Sequence, residues 1–311
     1  MLLMPAPNGC FYAIGTVDAD KRRHVGVWLG TGSCDQTRLT SPTELPPAAP
    51  GITERNTVVD TVEHDGTWMT LVTSTATGSG WGDVLRGTPD HWERLRLREP
   101  PDDAGDTPTA VGVIRNEFVA VGRHGRQPAA YFSSGGSWTD RDLPAPVPDT
   151  AEPLGIAGTP SGSAVIVGRA GGTAIVWTSQ DGGATWSTQQ PPGLTELTDV
   201  VRDGDRFLAI GAATDGTARV MTSADGITWN TDNAALPPGT RPLQAIKVLR
   251  SGQIFAIGQA APGQCATAWH RESRTWTAEP LGCHGAPTAL LELADGRVVA
   301  AGGTTLWLRS S

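Results

Sequence analysis

The chain has little of several things, and each shortage removes a class of function. Lys21 and Lys247 are its only lysines, and 24 basic against 32 acidic residues leave a formal net charge of -8. A nucleic-acid partner needs a concentrated basic face, so that class is set aside. No apolar run is long enough to form a membrane-spanning helix. The opening Met1-Leu2-Leu3-Met4-Pro5 lacks the basic and apolar regions of an export signal. It leaves two locations open, extracytoplasmic with the signal absent from this sequence, or cytoplasmic. The six histidines have no paired spacing, and Gly-x-Ser-x-Gly, Gly-x-Gly-x-x-Gly, Cys-x-x-Cys and His-Glu-x-x-His are all missing. No metal and no cofactor is expected.

What is there is a phrase repeated about seven times. Turn pairs stand at Asn8-Gly9, Asp65-Gly66, Ser161-Gly162, Asp203-Gly204, Ser251-Gly252 and Asp295-Gly296, with Asn116 in the same place of the third copy. Gly and Asn tolerate the positive φ of a tight hairpin. Each turn is followed by a nearly continuous apolar strand, from Phe11 to Gly15 in the first copy to Val298 to Gly302 in the last. That composition belongs to strands buried on both faces. Trp recurs at two positions of the unit, once in the third strand and once in the fourth, where Trp92, Trp138, Trp186, Trp229 and Trp276 stand. Such recurrence predicts packing plugs between neighbouring sheets. The Pro-rich pieces between copies, such as 41–51, 99–108 and 142–153, read as connections between blades.

A period of this length in an all-β chain predicts a ring of sheets. The expected fold is a seven-bladed β-propeller of four-stranded antiparallel blades, with six blades as the alternative, over residues 1–311 as a single domain. The last copy reaches Ser311 before its fourth strand. A three-stranded final blade is therefore expected, unless residues 1–7 supply the missing strand.

Cys10 and Cys34 fall on either side of a hairpin turning near Lys21 and Arg22, and Cys265 and Cys283 bracket one near Glu272 and Ser273. Two local cross-strand disulfides fit this placement, buried free thiols being the other reading. Disulfides would mean an oxidising compartment.

Ser179-Gln180-Asp181-Gly182-Gly183-Ala184-Thr185-Trp186 matches the Asp-box pattern Ser-x-Asp-x-Gly-x-Thr-Trp, and Ser223, Asp225, Gly226, Thr228 and Trp229 give a form one residue shorter. A short carboxylate there can accept N–H groups of its own turn, so Asp181 and Asp225 read as structural. On these motifs the chain resembles the Asp-box β-propellers of the sialidase-like superfamily, which include sialidases, xyloglucan-cleaving enzymes, sortilin-type receptor domains and photosystem assembly factors. The resemblance implies the fold and places the boxes at the rim, away from function. A sialidase would carry an Arg-Ile-Pro motif, an arginine triad and a late nucleophilic tyrosine. Tyr12 and Tyr131 are the only tyrosines, both early, and no Arg-Ile-Pro occurs.

A paired-carboxylate glycosidase needs two acids across a cleft, for which Asp60 and Asp199 on the inner strands are candidates. An Asp at a strand end more often caps a loop. The loops after the second strands, 16–24 and 73–81, would lie on the usual binding face of a propeller. Arg22, Arg23, Arg123, His124 and Arg126 could form an anion-attracting arc there, or be solvated turn charges. Trp81, outside both repeated Trp positions, is the candidate exposed contact. The expected function is a non-enzymatic, monomeric binding or scaffold propeller recognising a protein or a glycan. A glycoside hydrolase with acids near the channel is the alternative, and an assembly factor a third reading.

Overall fold

A computed structural model describes the chain apart from residues 20–21, 40–54, 77–78, 89–90, 99–104, 235, 260–264, 273–274, 284 and 310–311. Residues 18–19, 22–24, 38–39, 55, 76, 79–80 and 259 are described by their backbone alone. Lys21, Gly78, Ser273, the connection 41–51 and the first part of 99–108 thus lie outside the described residues.

Among the described residues, twenty-seven strands and one short 3₁₀ turn make up seven blades of antiparallel strands, the first two joined by a parallel bridge between Arg23 and Arg55. Blade 1 is β1 (Leu2–Pro5), β2 (Phe11–Ala19), β3 (Arg22–Thr31) and β4 (Gln36–Leu39). Blade 2 is β5 (Arg55–His64), β6 (Thr67–Ala76), β7 (Ser79–Thr88) and β8 (His91–Arg96). Blade 3 is β9 (Asp106–Ile114), β10 (Glu117–His124), β11 (Gln127–Ser134) and β12 (Ser137–Asp142). Blade 4 is β13 (Glu152–Gly158), β14 (Ala164–Ala170), β15 (Thr173–Ser179) and β16 (Ser187–Gln189). Blade 5 is β17 (Leu194–Asp203), β18 (Arg206–Ala213), β19 (Ala218–Ser223) and β20 (Asn230–Thr231). Blade 6 is β21 (Leu243–Val248), β22 (Ile254–Gln259), β23 (Ala266–Glu272) and β24 (Thr275–Gly282). Blade 7 has three strands, β25 (Ala289–Glu292), β26 (Val298–Gly302) and β27 (Thr305–Arg309). We call the strands of each blade A to D from the ring axis outward. The protein is a seven-bladed β-propeller, and β1 stays in blade 1, paired with β2.

The hairpins follow from the turn residues. Asp65 and Gly66 both take positive φ, 50° and 73°, as the primed two-residue turn requires, and Arg115 and Asn116 do the same at 52° and 72°. Two connections differ from the sequence reading. Residues 16–24 and 73–81, read as loops, are largely strand: β2 pairs with β3 as far as Ala19 and Arg22, and β6 with β7 as far as Ala76 and Ser79. Thr and Val at positions 16, 17, 73 and 75 favour extended backbone, and the pairing simply continues outward.

Blades bury themselves against one another. One apolar cluster joins blades 3 and 4 around Phe132, Ile166 and Trp177, the next joins 4 and 5 around Val165 and Phe207, and the next joins 5 and 6 around Leu208 and Trp269. The Trp at or just before the start of each D strand packs onto the blade before its own: Trp92 on blade 1, Trp138 on blade 2, Trp186 on blade 3, Trp229 on blade 4 and Trp276 on blade 5. The ring closes in the same way, with Leu3, Phe11 and Ala13 of blade 1 against Leu291, Val299 and Ala301 of blade 7. Arg297 of blade 7 donates to Ser33 O at 2.7 Å across this seam.

The A strands of blades 2 to 6 carry a bulge, at Val59, Thr109, Leu154, Thr198 and Gln244. In blades 3, 4 and 5 the A-strand backbone beside the bulge lies against the Gly near the end of the B strand. A Cβ would meet Thr107 O at 2.3 Å from Gly122, Glu152 O at 2.0 Å from Gly168, and Glu196 O at 2.1 Å from Gly211. These glycines make room for the bulge.

Candidate functional site: the axial channel and its rims

A strands from all seven blades surround a cavity of about 360 Å³ on the ring axis, lined by residues 2–3, 59–61, 109–111, 154–156, 198–201, 244–247 and 288–290. The bulges turn particular side chains toward this axis or toward the next blade. In blades 2 and 5 the residue after the bulge is aspartate, and the two make the same contacts. Asp60 Oδ1 accepts Thr61 N–H at 2.8 Å and Oδ2 accepts Val111 N–H of blade 3 at 2.8 Å. Asp199 Oδ1 accepts Val200 N–H at 2.8 Å and Oδ2 accepts Ile246 N–H of blade 6 at 3.0 Å. Each carboxylate clasps its blade to the next.

Burial raises both acids above the ordinary carboxylate value, Asp60 to about 7 and Asp199 to about 6. The backbone N–H groups oppose the shift in both, and for Asp60 the charge of Asp199 adds to it. Thr109 and Thr198, at two of the bulges, carry a second kind of clasp: their hydroxyls donate to Pro153 O at 2.6 Å and Leu243 O at 3.2 Å in the following blade.

The turns at 179–186 and 223–229 join the C and D strands of blades 4 and 5. Asp181 accepts Ser179 Oγ at 2.8 Å, Thr185 N–H at 2.9 Å and Thr185 Oγ1 at 2.6 Å, and Ser179 Oγ in turn accepts Gly183 N–H at 2.8 Å. Asp225 accepts Ser223 Oγ at 3.0 Å, Ile227 N–H at 2.8 Å and Thr228 N–H at 2.7 Å. These bonds hold both carboxylates below the usual range. The turns also dock backward. Gly183 O receives Arg141 Nη1 of blade 3 at 2.6 Å, and Gly226 O receives Thr178 Oγ1 of blade 4 at 2.6 Å and, within its own turn, Trp229 Nε1 at 3.0 Å.

Trp81 lies on β7, partly buried, and not in a loop. Its Nε1–H donates to Asp83 Oδ2 at 2.9 Å, and the guanidinium of Arg96 sits 5.1 Å from its ring centroid. Asp83 is fully buried and also paired with Arg94, while Ser74 lies 2.9 Å from Oδ2 and 2.6 Å from Asn56 Oδ1. Arg123 donates to Arg126 O and Asp149 O, both at 3.0 Å, and Arg126 pairs with Asp149 at 3.1 Å. His124 Nδ1 lies 3.1 Å from Asp106 Oδ1, which also accepts Tyr131 Oη at 2.8 Å. Burial and then Asp106 push the Tyr131 phenol far up. Arg22 and Arg23 are placed on β3, with side chains outside the description. The blade 3 members of the predicted basic arc are thus tied to local partners, and the structure groups them with Asp106 and Asp149.

Both predicted disulfides are present, Cys10 to Cys34 with Cα atoms 5.2 Å apart, and Cys265 to Cys283. Sequence reasoning passed over the buried Asp83 and Arg94 pair and the axial Lys247. The signal for Lys247 was its rarity, a lysine in an arginine-biased chain.

No known family description matches the chain, and no curated protein does. Solved structures match in fold. A Trypanosoma rangeli sialidase aligns at 14% identity and TM-score 0.55, over 98% of this chain and 60% of its own. The chain therefore spans about 60% of that sialidase. The β-propeller domain of Myceliophthora thermophila Cps50 (Swd1) aligns at 13% identity and TM-score 0.65, over 100% and 96% of the two chains. YCF48 bound to D1 peptide aligns at 12% identity and TM-score 0.56, over 99% and 94%. Sialidase-like β-propellers are among its structural neighbours.

Proposed function

We propose that the protein is an extracytoplasmic, non-catalytic recognition propeller of the Asp-box type, binding a protein or a glycan on the face where B–C and D–A connections converge. The observation that carries this reading is the engagement of both axial carboxylates. All four oxygens of Asp60 and Asp199 accept backbone N–H groups, two of them from the next blade, which fits architecture better than acid and nucleophile. Two disulfides support the extracytoplasmic assignment. A similar ring, that of YCF48, holds a peptide. The contact surface is assigned to the outer rim of blades 1 to 3, with Trp81, Arg22, Arg23, Arg123, His124 and Arg126.

One observation favours glycoside cleavage instead: two carboxylates raised to about 7 and about 6 share one channel. A single experiment separates the readings. The protein is screened in non-reducing buffer against glycan and peptide arrays and against chromogenic glycosides. Saturable binding that weakens at least about tenfold in Trp81→Ala, without turnover, supports recognition. Glycoside turnover abolished by Asp60→Asn overturns it in favour of hydrolysis.

A further inference from the structure

Beyond the 360 Å³ cavity, a second cavity of about 600 Å³ opens toward the A–B turns, walled by blades 1, 2, 6 and 7. Leu3, Thr61 and Lys247 line both, so Lys247 stands where the two meet. The ionisable side chains around this space are Asp60, Asp199, Lys247, Glu63, Arg250 and Glu292.

Five of the six are committed. Asp60 and Asp199 clasp backbone. Glu63 Oε1 accepts Gly66 N–H of its own hairpin at 2.7 Å. Glu292 Oε2 accepts Arg250 N–H at 2.8 Å and lies 3.3 Å from Arg250 Nε. Lys247 makes neither a hydrogen bond nor an ion pair within 4.0 Å among the described residues. Burial pushes its pKa down, while Asp199 and Glu292 push it up from a distance. Lys247 is partly buried and its ammonium faces the cavity with no direct protein partner among the described residues, a place an arriving anion can take.

The chemistry of the walls narrows the anion. Lys247 is the one cation among these groups without a direct partner, which matches a single carboxylate, and a second negative charge would meet the carboxylates of Asp199 and Glu292. Leu3, Met4, Val62 and Leu291 present apolar wall. The volume is that of a small-molecule site.

We propose that this cavity binds a small monocarboxylate with an apolar body, its carboxylate paired with Lys247 Nζ and its hydrocarbon part against Leu3, Met4, Val62 and Leu291. The site lies at the A–B end of the axis, opposite the recognition face, and stands or falls independently of it.

The test is calorimetric titration of the intact, disulfide-bonded protein with sodium octanoate near neutral pH, with octanol as the neutral control. The proposal expects one saturable site with a Kd below ~1 mM, at least about tenfold weaker binding in Lys247→Met, and no binding of octanol. Wild-type protein that fails to bind below ~10 mM octanoate overturns it, as does Lys247→Met binding unchanged. Limited acetylation gives a readout on wild-type protein alone, because Lys21 and Lys247 are the only lysines. Octanoate should slow modification of Lys247 relative to Lys21; equal rates with and without it contradict the proposal.

Discussion

Asp181 and Asp225 lie at the surface, yet their carboxylates are held below the usual range by the hydroxyls and N–H groups of their own turns. Asp60 and Asp199 also accept N–H groups, but burial outweighs those bonds and holds them high, at about 7 and about 6. The two kinds act oppositely on stability. For Asp181 the folded value is depressed, so its contribution is present at neutral pH and disappears as pH falls below the ordinary value of 3.8. The melting temperature of Asp181→Asn should sit below wild type at neutral pH and converge with it in acid; a gap independent of pH would contradict the role given to the turn. For Asp60 and Asp199 the folded protein keeps a proton that the unfolded chain releases, so stability declines as pH rises from about 4 toward their folded values of about 6 and about 7. Denaturant unfolding across that window should show the decline in wild type and a shallower one in Asp60→Asn. An unaltered slope would mean that Asp60 is not the titrating group.

At the scale of strands and turns, the repeated glycines separate into two uses, one in B strands and one in A–B turns. Gly168 has ordinary φ but no room, a Cβ falling 2.0 Å from Glu152 O, whereas Gly204 has φ +62° and open space around it. Gly168→Ala should therefore cost about 3 kcal/mol through a forced backbone shift, and Gly204→Ala about 1 kcal/mol through left-handed strain alone. Unfolding free energies of the two variants check the order, and a reversal would remove the bulge as the reason for the B-strand Gly. The repeated Gly was visible in the sequence but not the bulge behind it, because register shifts leave no composition mark on the A strand. Hairpin turns and Trp plugs were legible because each depends on a residue type with few substitutes: Asn or Gly for positive φ, Trp for a wide gap between blades. Strand ends were less so. Trp81, flanked by glycines, read as loop, and pairing with Ser74 carried the strand through it. The partners of Asp60 and Asp199 were hidden for another reason: they are main-chain groups of a different repeat, 51 and 47 residues away.

For the whole ring, the seam between blades 7 and 1 joins the two ends of the chain by side-chain packing and the Arg297 contact to Ser33, with no strand shared between the two blades among the described residues. The Cys10 to Cys34 disulfide lies in that seam, both cysteines belonging to its apolar cluster. Replacing both by Ser should cost about 3 kcal/mol through the closed loop it constrains, read by denaturant unfolding in non-reducing buffer. No change in stability would mean that the seam holds without it. Beyond closure, the account holds that the acids on the axis bind blade to blade, and that activity belongs to the rims. Amide hydrogen exchange at Val111 and Ile246, compared among wild type, Asp60→Asn and Asp199→Asn, tests this most directly. The account predicts that Asp60→Asn deprotects the Val111 strand and Asp199→Asn the Ile246 strand, each without the other. Protection unchanged in both variants would contradict it and return the two carboxylates to the list of catalytic groups.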